Sequence, residues 1–360
     1  MEWKHLTDKL NVTEPHLLTR LLRALAATIC LSAALGLSPA AKSESPKASA
    51  REELRLTYVR PAAIPYPSEN GYSKEKELLG RTLFFDPRLS GSGWISCATC
   101  HNPGMGWSDG LPKALGHGMK VLDRHTPTIL NIGWADLMFW DGRAESLEEQ
   151  ALGPIAAPGE MNQDLKEMVT LLQCIPGYRD LFAAAFSNPK IDTREVAQAI
   201  ATFERTVVSG PAPFDSWIAG SEDAISQHAK AGFDLFNGKA GCGKCHSGWN
   251  FTDNGFHDIG VAGDDPGRGR YIPVESQKSA FKTPGLRNID RLGPYMHDGS
   301  TATLAQVIEF YDRGGDARRP GLAPEIQPLH LTADDKYALL AFLGTLTGQD
   351  KEIRIPQLPR

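Results

Sequence analysis

The hydrophobic and polar positions along the chain mostly follow the period of an α-helix. Apolar residues recur three and four positions apart in six segments, whereas few segments alternate as a strand does. The pattern therefore predicts a mainly α-helical protein with short strands at most. Residues able to cap a helix precede four of the segments, at Ser73, Asp192, Ser221 and Thr332. The predicted helices are 74–85, 164–174, 194–208, 222–236, 304–311 and 333–346.

The sequence Cys-x-x-Cys-His occurs twice. Its residues are Cys97, Cys100 and His101 in the first copy and Cys242, Cys245 and His246 in the second. This is the attachment signature of c-type haem, in which two thiols bond to the haem vinyl groups and the histidine coordinates the iron. One copy alone would also suit a dithiol or half of a zinc site. A zinc site needs four ligands at one point and leaves both histidines unexplained, so the doubled motif predicts two covalently bound haems.

A weak internal repeat accompanies the two motifs. A helix containing glycine, leucine and phenylalanine, at 79–84 and again at 231–236, precedes each motif. A chain of 360 residues is long for one hydrophobic core, and the Pro- and Gly-rich stretch 209–214 suits a boundary. We therefore predict two cytochrome c-like haem domains related by internal duplication, with long loops. The predicted segments are a domain at 71–212, a domain at 213–350 and a tail at 351–360.

The N-terminal segment has the pattern of a secretory signal. Arg20 and Arg23 accompany an apolar run at 21–37, and small residues follow it. The run is short and rich in Ala and Ser for a membrane span, and an uncleaved anchor is the alternative. We predict a signal peptide at 1–40, a linker at 41–70 and export to the periplasm, because bacteria attach c-type haem outside the inner membrane.

Composition and charge exclude few classes of function. A net charge of −5 gives no basic footprint for nucleic acid, and 41% hydrophobic residues is ordinary for a soluble globular protein. The cysteine outside the haem motifs and the signal is Cys174, in an apolar helical stretch. We expect it to be a buried free thiol.

Four further strings occur in a fixed order. They are Leu-Phe-Phe-Asp-Pro-Arg-Leu-Ser at 83–90, Phe-Trp-Asp-Gly-Arg at 139–143, Lys-Thr-Pro-Gly-Leu-Arg-Asn at 282–288 and Pro-Tyr-Met-His-Asp-Gly at 294–299. With the haem motifs, their order and spacing resemble those of the bacterial diheme cytochrome c peroxidase and MauG family, over roughly 75–348. The resemblance implies a haem enzyme that reacts with hydrogen peroxide and forms high-valent haem iron.

For the first haem, the resemblance implies a peroxide site that carries Gln150, Pro154 and Glu160. A carboxylate there can move a proton from one peroxide oxygen to the other. Gln150 can orient the oxidant, and Pro154 is an apolar wall that cannot bind iron. Without the resemblance, Gln150 and Glu160 would be read as surface loop residues. Trp140 resembles the tryptophan that relays charge between the family's two haems, and the alternative is a core aromatic.

His117 is more ambiguous, since it lies in a Gly-His-Gly loop 16 residues after His101. In the peroxidase branch of the family, a histidine here caps the peroxide haem at rest and leaves when the other haem is reduced. The flanking Gly116 and Gly118 would allow the loop to move. A solvated loop histidine is the alternative, and the MauG branch is typically open at this haem.

At the second haem, the resemblance places the ligand opposite His246 at Tyr311, 14 residues after His297. The peroxidase branch has methionine there, and tyrosine is the MauG-type choice. Methionine favours Fe(II) and raises the potential, whereas a hard anionic phenolate favours Fe(III) and higher states. Met296 is a rival ligand, and Tyr311 as a plain helix core residue is the other alternative.

The family also binds calcium between its haem domains through an asparagine side chain and backbone carbonyls. Here the asparagine position is His125, and Leu292 and Pro294 could offer carbonyls. Imidazole is a poor ligand for a hard cation that prefers oxygen. Calcium is therefore an open expectation.

Three functions follow from these residues. The first is MauG-like oxidation of protein residues, as in quinone cofactor maturation in methylamine dehydrogenase, and Tyr311 favours it. The second is a cytochrome c peroxidase that reduces hydrogen peroxide with electrons from a small cytochrome, and His117 favours it. The third is a non-catalytic electron carrier, which Glu160 and Gln150 disfavour. No nucleic-acid partner is expected, and a membrane contact only through an uncleaved signal segment.

Overall fold

The computed structural model describes residues 53–187 and 189–360, and helices dominate this part of the chain. The predicted signal peptide and the beginning of the predicted linker lie outside the described residues. The α-helices are α1 Lys74–Phe84, α2 Cys97–Cys100, α3 Leu147–Ala156, α4 Leu165–Cys174, α5 Pro176–Ala185, α6 Thr193–Arg205, α7 Pro213–Ile218, α8 Gln227–Asn237, α9 Leu304–Asp312 and α10 Ala333–Gly344. Strands β1 Phe256–His257 and β2 Phe281–Lys282 pair antiparallel.

Short 3-10 turns connect these elements. They are Ser68–Asn70, Pro87–Leu89, Pro103–Met105, His117–Met119, Ile132–Trp134, Glu222–Ala224, Cys242–Lys244, Arg268–Arg270, Glu275–Gln277 and Ile289–Arg291. Among the described helices, none is long and apolar enough to cross a membrane.

Capping explains most of the helix boundaries. The Ser73 side chain accepts a hydrogen bond from the Lys76 N–H at the start of α1, and Asp192 and Thr332 cap α6 and α10 in the same way. The predicted start at 222 is wrong, because Ile225 is extended and the Ser226 side chain caps α8 instead. The pattern also missed α2, α3, α5 and α7, which are short or contain a proline.

Residues 53–360 belong to one compact unit that contains two large hydrophobic clusters. The first cluster is drawn from residues 79–207, and the second from Tyr58 and residues 214–346. Phe84, Trp107 and Phe203 pack together in the first cluster. The division into two domains at 212 and 213 stays a prediction.

Each cluster contains a close helix pair with a glycine at the contact. A Cβ atom at Gly80 in α1 would overlap the Ala199 carbonyl oxygen of α6. A Cβ atom at Gly232 in α8 would overlap the Ala338 carbonyl oxygen of α10. These are the two glycines of the sequence repeat, and close backbone approach is the physical reason for them.

Gly80→Ala is expected to lower the free energy of unfolding by about 2 kcal/mol, as overpacking of a tight core contact does. Urea unfolding of the haem-loaded protein measures it. The control is Gly344→Ala in α10, where a new Cβ meets no atom within 4 Å. Equal stability of the two variants would contradict the packing explanation.

One prediction about burial is wrong. Cys174 is exposed, because it is the last residue of α4 and lies on the face away from the core. The helix buries Met168 and Leu172 instead. The apolar stretch correctly indicated a helix, but its period leaves position 174 outside the buried stripe.

Candidate active site

The first Cys-x-x-Cys-His motif forms the short helix α2 and orients His101. The His101 N–H donates to the Cys97 carbonyl at 2.8 Å, which closes the turn. The His101 Nδ1 lies 3.1 Å from the Trp107 carbonyl oxygen, so Nδ1 carries the proton. Burial lowers the pKa of His101 and favours the neutral ring. A neutral imidazole with a protonated Nδ1 presents the Nε2 lone pair to a metal.

The second motif repeats this arrangement. The His246 N–H donates to the Cys242 carbonyl at 2.8 Å, and the His246 Nδ1 lies 3.0 Å from the Phe251 carbonyl oxygen. Burial again lowers the pKa of the imidazole. Both histidines are therefore held as ligands with Nε2 available.

None of the four motif cysteines forms a disulfide with a described residue. Burial raises the pKa of Cys100 to about 11 and that of Cys242 to about 12, so both stay protonated near neutral pH. An S–H group is what adds across a vinyl double bond, with sulfur bonding to one carbon and hydrogen to the other. The chemistry of the thiols fits haem attachment.

Among the described residues, one cluster of histidine, cysteine and acidic side chains has ligand atoms close enough to hold a metal. Its members are Cys245, Asp253 and His257, whose ligand atoms lie within 4.8 Å of one another. The cluster does not include the histidine of either motif. It therefore does not supply the zinc site that the doubled motif left open, and a thioether at Cys245 would remove its thiolate ligand.

A cavity of about 560 Å³ adjoins the first motif, within the roughly 300–1,000 Å³ typical of cofactor sites. Cys100 and His101 line it, together with Gln150, Pro154 and Glu160. Gln150 and Pro154 are four residues apart on α3, so one face of this helix carries both. The structure thus brings the predicted peroxide-site residues to one cavity with the first motif.

Glu160 follows α3 in a turn and is half-buried. Burial raises the pKa of its carboxyl, and the Arg143 charge lowers it by less. A carboxyl with a raised pKa next to a cavity holds a proton more readily than an exposed glutamate and is suited to exchange it with a bound oxidant. Pro154 has no N–H, which leaves the Gln150 carbonyl without its helical partner.

Trp140 lines the same cavity, as do residues that follow the second motif, such as Asn250 and Thr252. Its Nε1–H donates to the His125 carbonyl at 2.9 Å, and its own carbonyl accepts from the Lys282 N–H at 2.8 Å. These bonds fix the indole between segments of both halves of the chain.

His117 is not on the wall of this cavity. Its backbone N–H donates to the Glu160 carbonyl at 2.7 Å, and its Nδ1 is buried without a hydrogen-bond partner in the part of the chain described here. A Cβ at Gly116 would overlap the Gly159 carbonyl, so this glycine permits close packing. Its role as a cap of the first haem stays a prediction.

Tyr311 lies on α9, near enough to Cys242 and Cys245 to interact with them electrostatically. Burial raises the pKa of its hydroxyl, and that hydroxyl makes no hydrogen bond to a described residue. Met296 lines the cavity that contains His101. The interaction with Cys242 and Cys245 supports Tyr311 as the ligand opposite His246, and the choice between Tyr311 and Met296 stays a prediction.

Of the residues expected near calcium, His125 has other hydrogen-bond partners. The His125 Nδ1–H donates to the Leu111 carbonyl at 2.7 Å, and Nε2 faces the Ser108 hydroxyl at 3.5 Å. Leu292 and Pro294 line the cavity near His125. The His125 side chain contributes no oxygen ligand, so it does not fit the asparagine position of the calcium site that the resemblance implies. Calcium binding itself stays a prediction that the structure does not test.

Two segments repeat their local conformation at a constant separation of 157 residues. Helices α3 and α9 both begin after a capping hydroxyl residue. The equivalent pairs are Thr126 and Thr283, Pro127 and Pro284, Asn131 and Asn288, Phe139 and Met296, Gly142 and Gly299, and Leu147 and Leu304. The asparagines, the Phe–Met pair and the glycines have matching left-handed backbone angles.

This spacing makes Tyr311 the counterpart of Pro154, because they are also 157 residues apart. Both follow the start of their helix by seven residues, so they lie on equivalent faces of α3 and α9. The sequence reasoning missed this relation. The repeated Thr-Pro and Asn-Ile pairs were the signal that could have revealed it. The internal duplication itself stays a prediction.

Comparison with known proteins shows which family the chain belongs to. The model of the family described as di-haem cytochrome c peroxidase matches residues 74–223. Methylamine utilization protein MauG of Methylorubrum extorquens is 49% identical, covering 93% of this chain and 94% of that protein. MauG of Methylophilus methylotrophus is 47% identical over 85% and 92%, and cytochrome c551 peroxidase of Nitrosomonas europaea is 37% identical over 78% and 82%.

Among solved structures, a MauG-like protein associated with microbial copper homeostasis superposes with a TM-score of 0.74 at 33% identity, over 81% of this chain and 93% of that one. The chain is thus a haem-dependent oxidoreductase of the peroxidase type. It belongs to the di-haem cytochrome c peroxidase and MauG family, and its MauG relatives support a MauG-like diheme function.

The residues present fit the two haems of the family. His101 and His246 are prepared as ligands, and the cavity beside His101 has a cofactor-sized volume. Arg287 lines this cavity, is buried, and leaves its Nη2 without a hydrogen-bond partner in the described chain. Its Nη1 pairs with Asp215 at 2.8 Å, and a haem propionate would supply an acceptor for Nη2.

Proposed function

We propose that this protein reacts with hydrogen peroxide at the His101 haem and uses the stored oxidising equivalents of both haems to oxidise residues of another protein. The observation that carries the proposal is Tyr311, which stands where α3 has Pro154 and interacts with Cys242 and Cys245. When bound, the two haems supply iron that can be oxidised and reduced. The covalent attachment at the four motif cysteines is part of the proposal.

Peroxide chemistry at the first site rests on Glu160, Gln150 and Pro154. The Glu160 carboxylate accepts a proton from one peroxide oxygen and returns it to the other, which makes the departing oxygen leave as water. Gln150 orients the oxidant by hydrogen bonding. Pro154 offers no ligand atom, so it keeps its side of the first site open to peroxide.

Tyr311 gives the second haem site an oxygen ligand that the first site lacks. Its buried hydroxyl loses the proton only where a cation compensates the phenolate charge, and iron is such a cation. An anionic oxygen ligand stabilises higher oxidation states, whereas methionine would stabilise Fe(II). Trp140, fixed by the His125 carbonyl between the two halves, carries charge between the sites.

The relatives suggest the partner and the location. Two of them are methylamine utilization proteins, so we extend the proposal to quinone cofactor maturation in methylamine dehydrogenase. The periplasm is the proposed compartment, because c-type haem is attached there and residues 1–40 have a signal pattern.

The second candidate is a cytochrome c peroxidase, supported by the 37% identical cytochrome c551 peroxidase and by the position of His117. Electrons from a small cytochrome would then reduce peroxide to water. The third candidate, a pure electron carrier, conflicts with a cavity that exposes Glu160 and Gln150 beside His101.

A single-turnover experiment separates the candidates. The protein is mixed with one equivalent of peroxide, both haems are followed by optical and EPR spectroscopy, and either precursor methylamine dehydrogenase or reduced small cytochrome c is then added. We expect both haems to change and the precursor to be oxidised. Fast oxidation of the cytochrome, with the Tyr311 haem unchanged by peroxide, would favour the peroxidase instead.

Chelation is expected to leave the protein unchanged, since the family's calcium position lacks an oxygen side chain at His125. Dialysis against EDTA should alter neither the haem absorption nor the thermal midpoint. His125→Asn, which restores an amide oxygen, is the comparison variant and should gain sensitivity to EDTA. A loss of the wild-type haem spectrum on chelation would show that calcium is bound.

A further inference from the structure

Glu204 brings a second carboxyl to the cavity of the first motif. It lies near the end of α6 and is only 5% exposed. It lines the cavity of about 560 Å³ and also a neighbouring one of about 60 Å³. Both cavities are lined by Gln150 and Glu160 as well. No motif of the sequence pointed to this residue.

The Glu204 carboxyl has no hydrogen-bond donor at its Oε2 among the described residues. This oxygen is buried. The neighbouring Arg205 directs its guanidinium to Glu148 instead, with bonds of 2.7 and 2.9 Å. Burial raises the pKa of Glu204 to about 8, and Arg205 lowers it less than burial raises it. Glu204 is therefore a neutral acid near pH 7.

The position of Glu204 argues against a role in binding a haem propionate. It lies close enough to Cys97 to raise the pKa of that thiol. In c-type haem the cysteines bond to the vinyl groups, and the propionates are on other pyrrole rings. A carboxyl beside the first cysteine is therefore not placed to bind a propionate.

Peroxide reduction needs such a proton. The overall reaction is H₂O₂ + 2 H⁺ + 2 e⁻ → 2 H₂O, in which the O–O bond breaks and four O–H bonds are present in the products. Glu160 returns the proton that it takes, so it supplies neither of the two. The two electrons come from residues of the protein substrate, which become oxidised, or from a reduced small cytochrome.

We propose that Glu204 holds a proton at the first haem site. This proton is one of the two that peroxide reduction consumes. This inference rests on the proposed function. Glu204 releases its proton into the cavity when electrons arrive, and it is reprotonated from solvent after turnover. Glu148 and Arg205 pair with each other. The cavity wall also carries the acids Glu160, Asp123, Asp141 and Asp265, of which Asp141 and Asp265 pair with Arg124.

The test uses the haem-loaded full chain as wild type, Glu204→Gln, Glu204→Asp and, as the control, Glu195→Gln. Glu195 is also buried on α6, but its carboxylate accepts backbone N–H groups of Lys190 and Ile191 and does not line the cavity. The first readout is the infrared C=O band of a protonated carboxylic acid, compared between about pH 6 and pH 10, where ordinary carboxyls are ionised. This readout needs no turnover.

We expect a titrating band in the wild type, Glu204→Asp and Glu195→Gln, and none in Glu204→Gln. In stopped-flow single turnover, Glu204→Gln should leave the first, O–O cleaving phase unchanged and slow the later proton-consuming phase about 100-fold, with recovery in Glu204→Asp. A wild type that reacts with peroxide but lacks the band overturns the role of Glu204 alone. A wild type that does not react with peroxide overturns the proposed function as well, and the two failures are thereby distinguished.

Discussion

Tyr311→Met is expected to abolish protein oxidation while leaving peroxide reactivity at the first haem in place. The oxidation rate of the protein substrate should fall by at least about 100-fold, equal to about 2.7 kcal/mol of activation free energy. The reason is the ligand chemistry: a neutral thioether stabilises Fe(II) and raises the potential of the second haem, whereas a phenolate stabilises the oxidised states. The same change should make that haem a better acceptor of electrons from a small cytochrome.

Spectroelectrochemistry of the second haem and single-turnover oxidation of the protein substrate measure the effect. Tyr311→Phe separates the loss of the oxygen ligand from the gain of sulfur, because it removes the hydroxyl alone. Tyr337→Phe, at a largely exposed tyrosine of α10, is the matched control and should behave as the wild type. An unchanged potential in Tyr311→Met would show that Tyr311 does not ligate the second haem.

The second large effect is expected for Glu160→Gln, which keeps the shape of the side chain and removes its basicity. The reaction with peroxide should slow by about 100- to 10,000-fold, the usual contribution of a general base. Binding of cyanide at the first haem should persist, because the cavity is unaltered. Glu149→Gln, at an exposed carboxylate of α3 that accepts the Glu145 N–H, is the control.

The pH dependence gives an independent check on Glu160. Burial raises the pKa of this carboxyl above its usual value, and only the ionised form accepts a proton. The peroxide rate should therefore fall as the pH is lowered through this raised pKa, at a higher pH than an exposed glutamate would give. Glu160→Gln should lack this fall. A wild-type rate that is independent of pH in the acidic range would contradict the assignment of the base.

The sequence predicted the parts of this site that depend on short-range chemistry. The haem motifs, the cap at Ser73 and the residue types at 150, 154 and 160 all follow from local spacing or family resemblance. The cavity then brings the three predicted residues together with His101. Their roles stay predictions until the variants above are measured.

What escaped the sequence depends on tertiary contacts. Nothing in the string Phe-Glu-Arg-Thr indicates that Arg205 pairs with Glu148 and leaves Glu204 buried without a counter-charge. The exposed position of Cys174 likewise depends on which face of α4 meets the core. Gly116 was read as a source of mobility, but the neighbouring Gly159 carbonyl requires a residue without a side chain.

The constant 157-residue spacing has a consequence for how such an enzyme evolves. Pro154 on α3 and Tyr311 on α9 are equivalent positions of the two helices. If each faces its own haem, this one pair of residues decides which iron is left without a protein ligand on that side and which iron receives one. A change of the single residue 311 would then convert an enzyme that accepts electrons from a cytochrome into one that oxidises protein residues, while the rest of the fold stays the same.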